Sequence, residues 1–223
     1  SVDYLDDKRY CSMHSLITTG DLFGVDFVYG EIPDKLNPID NETFMKSRTR
    51  FQAVITNCRT GEAEYPDVKD FRTDTVYIRA SSSLPFLSKM VKINGELYLD
   101  GGVSDSIPIK KSIENGNIKN IIIMTRDKKY RKKQSKLGKI SAIRYKKYPK
   151  FVELMNTRFS RYNEILEYIY ELERQGKVFI IQPETPLNLG RIEKNREKLT
   201  NVYNIGYKEA EKRYSAMMEY LAK

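Results

Sequence analysis

The most constraining stretch of this chain is a hairpin signal that ends on an acidic turn. Val91-Lys92-Ile93 and Glu96-Leu97-Tyr98-Leu99 flank Asn94-Gly95, the pair best suited to the positive φ angles of a type I′ turn. The second strand delivers Asp100 to its end, and Gly101-Gly102 follow at once. Either Ser106 or Asp105 then caps a helix that holds Pro108 in its first turn.

Around this hairpin the sequence alternates strands and helices. Phe51–Thr56 reads as a strand, Arg59-Thr60-Gly61 as a turn, and 62–65 as a returning strand. Thr75–Ala80 reads as extended, running into Ser81-Ser82-Ser83, which cap a short helix through Leu87. Asn120–Thr125 is continuously apolar after its first residue, the pattern of a strand buried on both faces. From Phe151 to Arg174, apolar or aromatic residues at 151, 155, 159, 162, 166 and 169 mark a helix that Gly176 ends. Lys177–Gln182 forms another buried strand, stopped by Pro183. Leu199, Tyr203, Ala210, Tyr214, Met217 and Leu221 make a last helical stripe, most simply facing the core, with a lipid-facing groove as the alternative that periodicity does not separate. In the first fifty residues Gly20, Gly24 and Gly30 break short apolar runs, and Pro33 and Pro38 deny a long helix. The expected fold class is α/β, with helices covering a sheet.

Asp100 is the first candidate for chemistry. A carboxylate at a strand end, followed by two glycines, can take a proton from a nearby hydroxyl as a general base. The same Asp-Gly-Gly is also a turn in which the carboxylate bonds its own backbone, and the local residues leave both readings open. The wider context adds to this. Arg79-Ala80-Ser81-Ser82-Ser83-Leu84-Pro85-Phe86, then the hairpin, then Asp100-Gly101-Gly102-Val103-Ser104-Asp105-Ser106-Ile107-Pro108 resembles the second conserved block of the patatin-like phospholipases, in their bacterial branch. The resemblance extends from about Tyr10 to the C-terminus, as one domain over 1–223.

That resemblance implies a three-layer α/β fold, with helices on both faces of a mixed sheet, and a Ser-Asp dyad in which Asp100 is the aspartate. It implies lipid or carboxylic ester substrates and no metal or organic cofactor. Gly101 and Gly102 would keep the supporting loop narrow. In the family the serine sits in a Gly-x-Ser-x-Gly elbow, and a glycine-rich loop donates to the oxyanion. Neither motif occurs here; Gly102-Val103-Ser104-Asp105-Ser106 begins the elbow pattern and departs from it at its last position. The chain is therefore expected to be the C-terminal portion of such an enzyme, lacking the first strands and the nucleophile helix, and inactive alone. Rival readings are a patatin-like scaffold without activity and a basic binding module.

The other reactive residues carry less. His14 lies in no nucleophile-elbow pattern, and Cys11 and Cys58 have no metal-ligand spacing. Ser81, Ser82 and Ser83 read as capping or backbone-bonding hydroxyls. Free thiols, and a start without a signal-peptide pattern, fit a cytoplasmic protein. No apolar run approaches the roughly 20 residues that span a bilayer.

The net charge of +9 is concentrated. Between residues 126 and 150, nine lysines and three arginines face the single Asp127, a local charge of +11 that leaves −2 for the rest. Lys128, Lys129, Arg131, Lys132 and Lys133, with tyrosines at 130, 145 and 148, could contact an anionic membrane from its periphery. A solvated mobile loop explains the segment equally well. No specific nucleic acid is expected, since a run such as Arg131-Lys132-Lys133 is too common to carry one.

Overall fold

The computed structural model describes residues 2–190 and 192–223. Their contacts divide the described residues into two compact units, one of 4–106 with 134–158, the other of 2–3, 107–133, 159–190 and 192–223.

The first unit is built on a four-stranded antiparallel sheet in the order β2-β1-β4-β3. Its strands are β1 (Ile55–Asn57), β2 (Ala63–Glu64), β3 (Val91–Ile93) and β4 (Glu96–Asp100). The β3–β4 hairpin forms as its sequence requires. Asn94 and Gly95 take φ of 50° and 87°, and Val91 pairs with Tyr98, Lys92 with Leu97 and Ile93 with Glu96. Strand alternation sends Tyr98 to one face, with Val91, Ile93, Ile55 and Ala80, and Leu97 and Leu99 to the other, with Cys58, Tyr145 and Phe151. Helices therefore cover both faces within this unit. On one side lies α3 (Phe71–Ser81). On the other, α5 (Gly138–Arg144) leads into the first turns of α6 (Pro149–Arg174). Two short helices, α1 (Met13–Thr19) and α2 (Asn41–Lys46), precede the sheet.

Three expectations change here. Thr75–Ala80 is helical, not extended. Asp70 accepts from Arg72 N at 2.8 Å, and Asp74 Oδ2 accepts from Lys69 N and Asp70 N. This capping outweighs the β-branched and aromatic run Thr75-Val76-Tyr77-Ile78. Consequently Ser82 ends α3 instead of starting a helix, its Oγ bonding Ile78 O at 2.7 Å. Pro33 does not exclude helix: it lies inside a wide π-helical segment, Phe27–Leu36, closed by Asn37 N to Ile32 O at 2.8 Å.

In the second unit, β5 (Asn120–Ile123) and β6 (Val178–Ile181) pair in parallel, Asn120 opposite Val178. Ile122, Met124, Val178 and Ile180 pack on Leu166, Ile169, Tyr170 and Leu172 of α6 and on Ile109 of α4 (Ile109–Glu114). The other face of β5 is open, with Ile121 and Ile123 exposed, so this strand is not buried on both sides. The C-terminal helix α7 (Arg196–Ala222) contacts β6. Tyr220 fastens it: its hydroxyl accepts from Asn120 N at 3.0 Å and donates to Lys177 O at 2.8 Å. The stripe expected to face the core does not. Tyr203, Ala210, Tyr214 and Leu221 are exposed and only Leu199 and Met217 of that stripe are half-buried, while Tyr220 is buried and Val202, Ile205 and Arg213 are half-buried. Both sets have helical spacing, and only contact with β6 selects between them.

Candidate active site

The end of β4 and the turn after it bring together the residues singled out by the Asp-Gly-Gly motif. Asp100 is half-buried. Its backbone is tied twice, N to Ser83 O at 2.9 Å and O accepting from Thr56 Oγ1 at 2.8 Å. Its Oδ1 accepts from Gly102 N at 2.6 Å, capping a single 3-10 turn, Gly101–Val103. The turn reading of Asp-Gly-Gly is thus realised, and the same bond orients the carboxylate.

The two glycines serve different ends. A Cβ on Gly101 would lie 2.0 Å from Val54 O and 2.3 Å from Val54 C, so only glycine lets the turn close against the chain entering β1. A Cβ on Gly102 would meet Asp100 Oδ1 at 3.0 Å and Arg158 Nη2 at 3.1 Å. Arg158 is therefore beside the carboxylate, and its Nε donates to Gly102 O at 2.6 Å. Nothing in the sequence singled out this arginine; it reaches the turn from α6, 56 residues downstream.

The hydroxyls around the turn are structural. Ser104 Oγ lies 2.8 Å from Thr56 Oγ1 and donates to Gly101 O at 3.2 Å. Ser106 Oγ donates to Gly102 O at 2.7 Å, and Asp105 accepts from Tyr65 OH at 2.7 Å. Asp105 and Ser106 therefore do not cap α4, whose N-cap position is Pro108. Ser83 Oγ is spent on Arg79 O at 2.7 Å. Neighbouring Tyr98 donates to Glu64, and burial together with that carboxylate pushes its phenol up to about 12, so it stays protonated.

His14 stands exposed on α1, in the wall of an open groove whose lining does not include Asp100. Cys58 is fully buried, and desolvation pushes its thiol up to about 12, which removes it as a nucleophile. Cys11 is buried as well.

The basic residues fall in the other unit for 128–133 and are partly engaged there. Lys128 lies 3.5 Å from Glu173, and Arg131 pairs with Glu167 at 2.5 Å. Lys132 Nζ sits 4.8 Å from the centre of the Tyr162 ring, and its backbone exchanges two hydrogen bonds with the Asn163 amide. Lys129 and Lys133 are exposed. No helix among the described residues is long and apolar enough to cross a membrane.

Comparison with known proteins divides the chain in two. Residues 9–112 match the patatin-like phospholipase family, so the resemblance carried by 79–108 is supported. Residues 148–222 match a domain of unknown function, DUF6363. The uncharacterized protein YjjU of Escherichia coli (strain K12) is 28% identical over 137 residues. That alignment covers 58% of this chain and 37% of the relative, so the chain spans well under half of the relative's length.

Proposed function

We propose, from the match of residues 9–112 to the patatin-like phospholipase family, that this chain supplies the aspartate of a serine acyl hydrolase acting on carboxylic esters of lipids. The observation that carries the reading is the Asp100 carboxylate at the end of β4, oriented by Gly102 N at 2.6 Å on a turn closed against Val54. A general base must be held in position before its basicity matters, and Asp100 is held by its backbone on both sides.

The nucleophile in this reading is a serine outside the present sequence. Its Oγ attacks the acyl carbonyl carbon while Asp100 takes the hydroxyl proton. The tetrahedral oxyanion collapses, the ester C–O bond breaks, and the departing alkoxide takes the proton from Asp100 as the alcohol leaves. Water then attacks the acyl-serine with Asp100 again accepting a proton, which returns to the serine as the acid is released. Arg158 acts as a positioning residue, holding the Gly102 carbonyl at 2.6 Å. The bonded positions of Ser83, Ser104 and Ser106 support a nucleophile from elsewhere, because each hydroxyl already serves the backbone.

The test is a longer protein that joins this chain to its own upstream residues, assayed on short-chain p-nitrophenyl esters and on phospholipid vesicles. Asp100→Asn is expected to lower kcat by about 10²–10⁴ with the melting temperature nearly unchanged, and the present chain alone is expected to be inert. Full activity in the Asp100→Asn protein, or turnover by the chain alone, overturns the assignment. A longer protein that has no Gly-x-Ser-x-Gly segment and no hydrolysis would make the scaffold the better reading.

A further inference from the structure

The C-terminal helix α7 carries two apolar stripes, and its own sheet uses one. Arg213 is half-buried and Tyr220 buried against the strands of the second unit, and Val202 and Ile205 are half-buried. Arg213 donates to Ile180 O at 2.6 Å, and Tyr220 bonds Asn120 N of β5 and Lys177 O just before β6. About 110° round the helix lies the other stripe: Tyr203, Tyr207, Ala210, Tyr214 and Leu221, all exposed, with Met217 half-buried at its edge. Its steps are four, three, four, three and four residues, the alternation of a coiled-coil seam. Tyr203 is 69% exposed, Tyr207 62%, Tyr214 57% and Leu221 41%, with Met218 beside them at 46%. Tyrosines are large and amphipathic, but a row of them at seam spacing on one helix exposes more apolar surface than an isolated helix face needs.

The seam is symmetric about Lys212. Laid antiparallel on a second copy of itself, it places Tyr203 against Leu221, Tyr207 against Met217 and Ala210 against Tyr214. Each layer then sets a larger side chain against a smaller or more flexible one, and the bulkiest mismatch, tyrosine on alanine, sits beside the centre. With a full aromatic side chain worth about 150–250 Å², the exposed fractions leave about 500 Å² on each helix. Two copies together would bury about 1,000 Å², the lower limit for a specific association. Of the nearby exposed charged residues only Glu211 flanks the seam, while Lys208, Lys212 and Glu219 lie about 140–180° round the helix from it, so the rim is not basic. A helix built to lie on an anionic bilayer has a predominantly basic rim instead.

We infer that α7 is a homodimerisation helix, pairing antiparallel with α7 of a second copy through Tyr203, Tyr207, Ala210, Tyr214, Met217 and Leu221. The association is apolar in origin, so salt does not weaken it. Glu211 of the two copies lie closest to one another across the symmetry axis, a like-charged pair that salt screens.

Sedimentation equilibrium of the full chain over a micromolar concentration series is the test, at low salt and at about 0.5 M NaCl. The weight-average mass is expected to rise toward twice the monomer mass, with no loss of dimer at high salt. Tyr214→Glu, at an exposed position, is expected to raise the dissociation constant by about 100-fold or more, while helicity by circular dichroism is kept. Ile17→Ser, which removes another exposed apolar residue (79% exposed) on α1, is expected to leave it unchanged. Register is read from cysteines, the native pair being buried. The double variant Ala210→Cys/Tyr214→Cys should cross-link between copies under mild oxidation, and Ala210→Cys alone should not. A monomer at every concentration, a dimer indifferent to Tyr214→Glu, or efficient cross-linking of Ala210→Cys alone overturns the proposal.

Discussion

Replacing Gly101 by alanine puts a methyl group where Val54 already stands. The added Cβ would be 2.0 Å from Val54 O, 2.3 Å from Val54 C and 2.7 Å from Val54 Cβ. No rotamer relieves this, because two of the three atoms are backbone. Either the chain entering β1 or the Asp100 turn must move by about 1 Å to restore ordinary contact, an overpacking cost of about 1–3 kcal/mol. That movement also strains the two bonds that flank the carboxylate, Asp100 N to Ser83 O and Thr56 Oγ1 to Asp100 O. Each is worth about 1 kcal/mol. The expected loss is therefore about 3–5 kcal/mol, or about 6–20 °C in the melting temperature at this chain length. Gly102→Ala is the internal control. Its Cβ meets only side-chain ends, Asp100 Oδ1 at 3.0 Å and Arg158 Nη2 at 3.1 Å, which can shift at a cost of about 1 kcal/mol or less. Thermal melts followed by circular dichroism, with urea titrations alongside, measure both variants. Equal stability of the two would refute the close approach of the turn to Val54, and with it the argument that glycine is required to place Asp100.

Two further outcomes follow from buried groups. Burial raises the Cys58 thiol to about 12 in the folded protein, above the usual value near 8.5 in an unfolded chain. The folded state favours the neutral thiol, so this contribution is complete below about pH 8.5 and is lost as pH rises from there toward 12. Cys58→Ala should flatten that part of the alkaline stability profile, and native Cys58 should resist iodoacetamide at pH 8; rapid alkylation would contradict its burial. Tyr220→Phe removes the hydroxyl that serves Asn120 N and Lys177 O, leaving the buried Asn120 N–H unpaired at a cost of about 1–3 kcal/mol. A lowered urea midpoint and faster hydrogen exchange at Asn120 are expected, and unchanged exchange would show that α7 is held by other contacts.

Local signals were readable wherever one residue type dominates a conformation. Asn94-Gly95 dictated the hairpin because positive φ at two successive positions suits few other pairs. Asp100 at the strand end followed directly from it. Gly176 ends the long helix with φ 68°, as its position in the pattern required. The helix over 71–81 was harder to see, yet its signal exists: Asp70 takes up the free N–H of Arg72 and Asp74 reaches back to Lys69 N and Asp70 N just before the helix, whereas β-branched residues argued for a strand.

What the sequence determined by itself was thus the α/β class, the hairpin, the long helices and the Asp100 motif, all of which depend on neighbours within a few positions. Only tertiary structure could place Arg158 beside Asp100, because nothing in a charged helical residue records which distant turn it reaches. Only tertiary structure could decide that β5 has an open face, and which of two equally periodic stripes on α7 meets β6. Periodicity states that a helix has an apolar side; burial is a property of two surfaces, and the second one is not written in the helix.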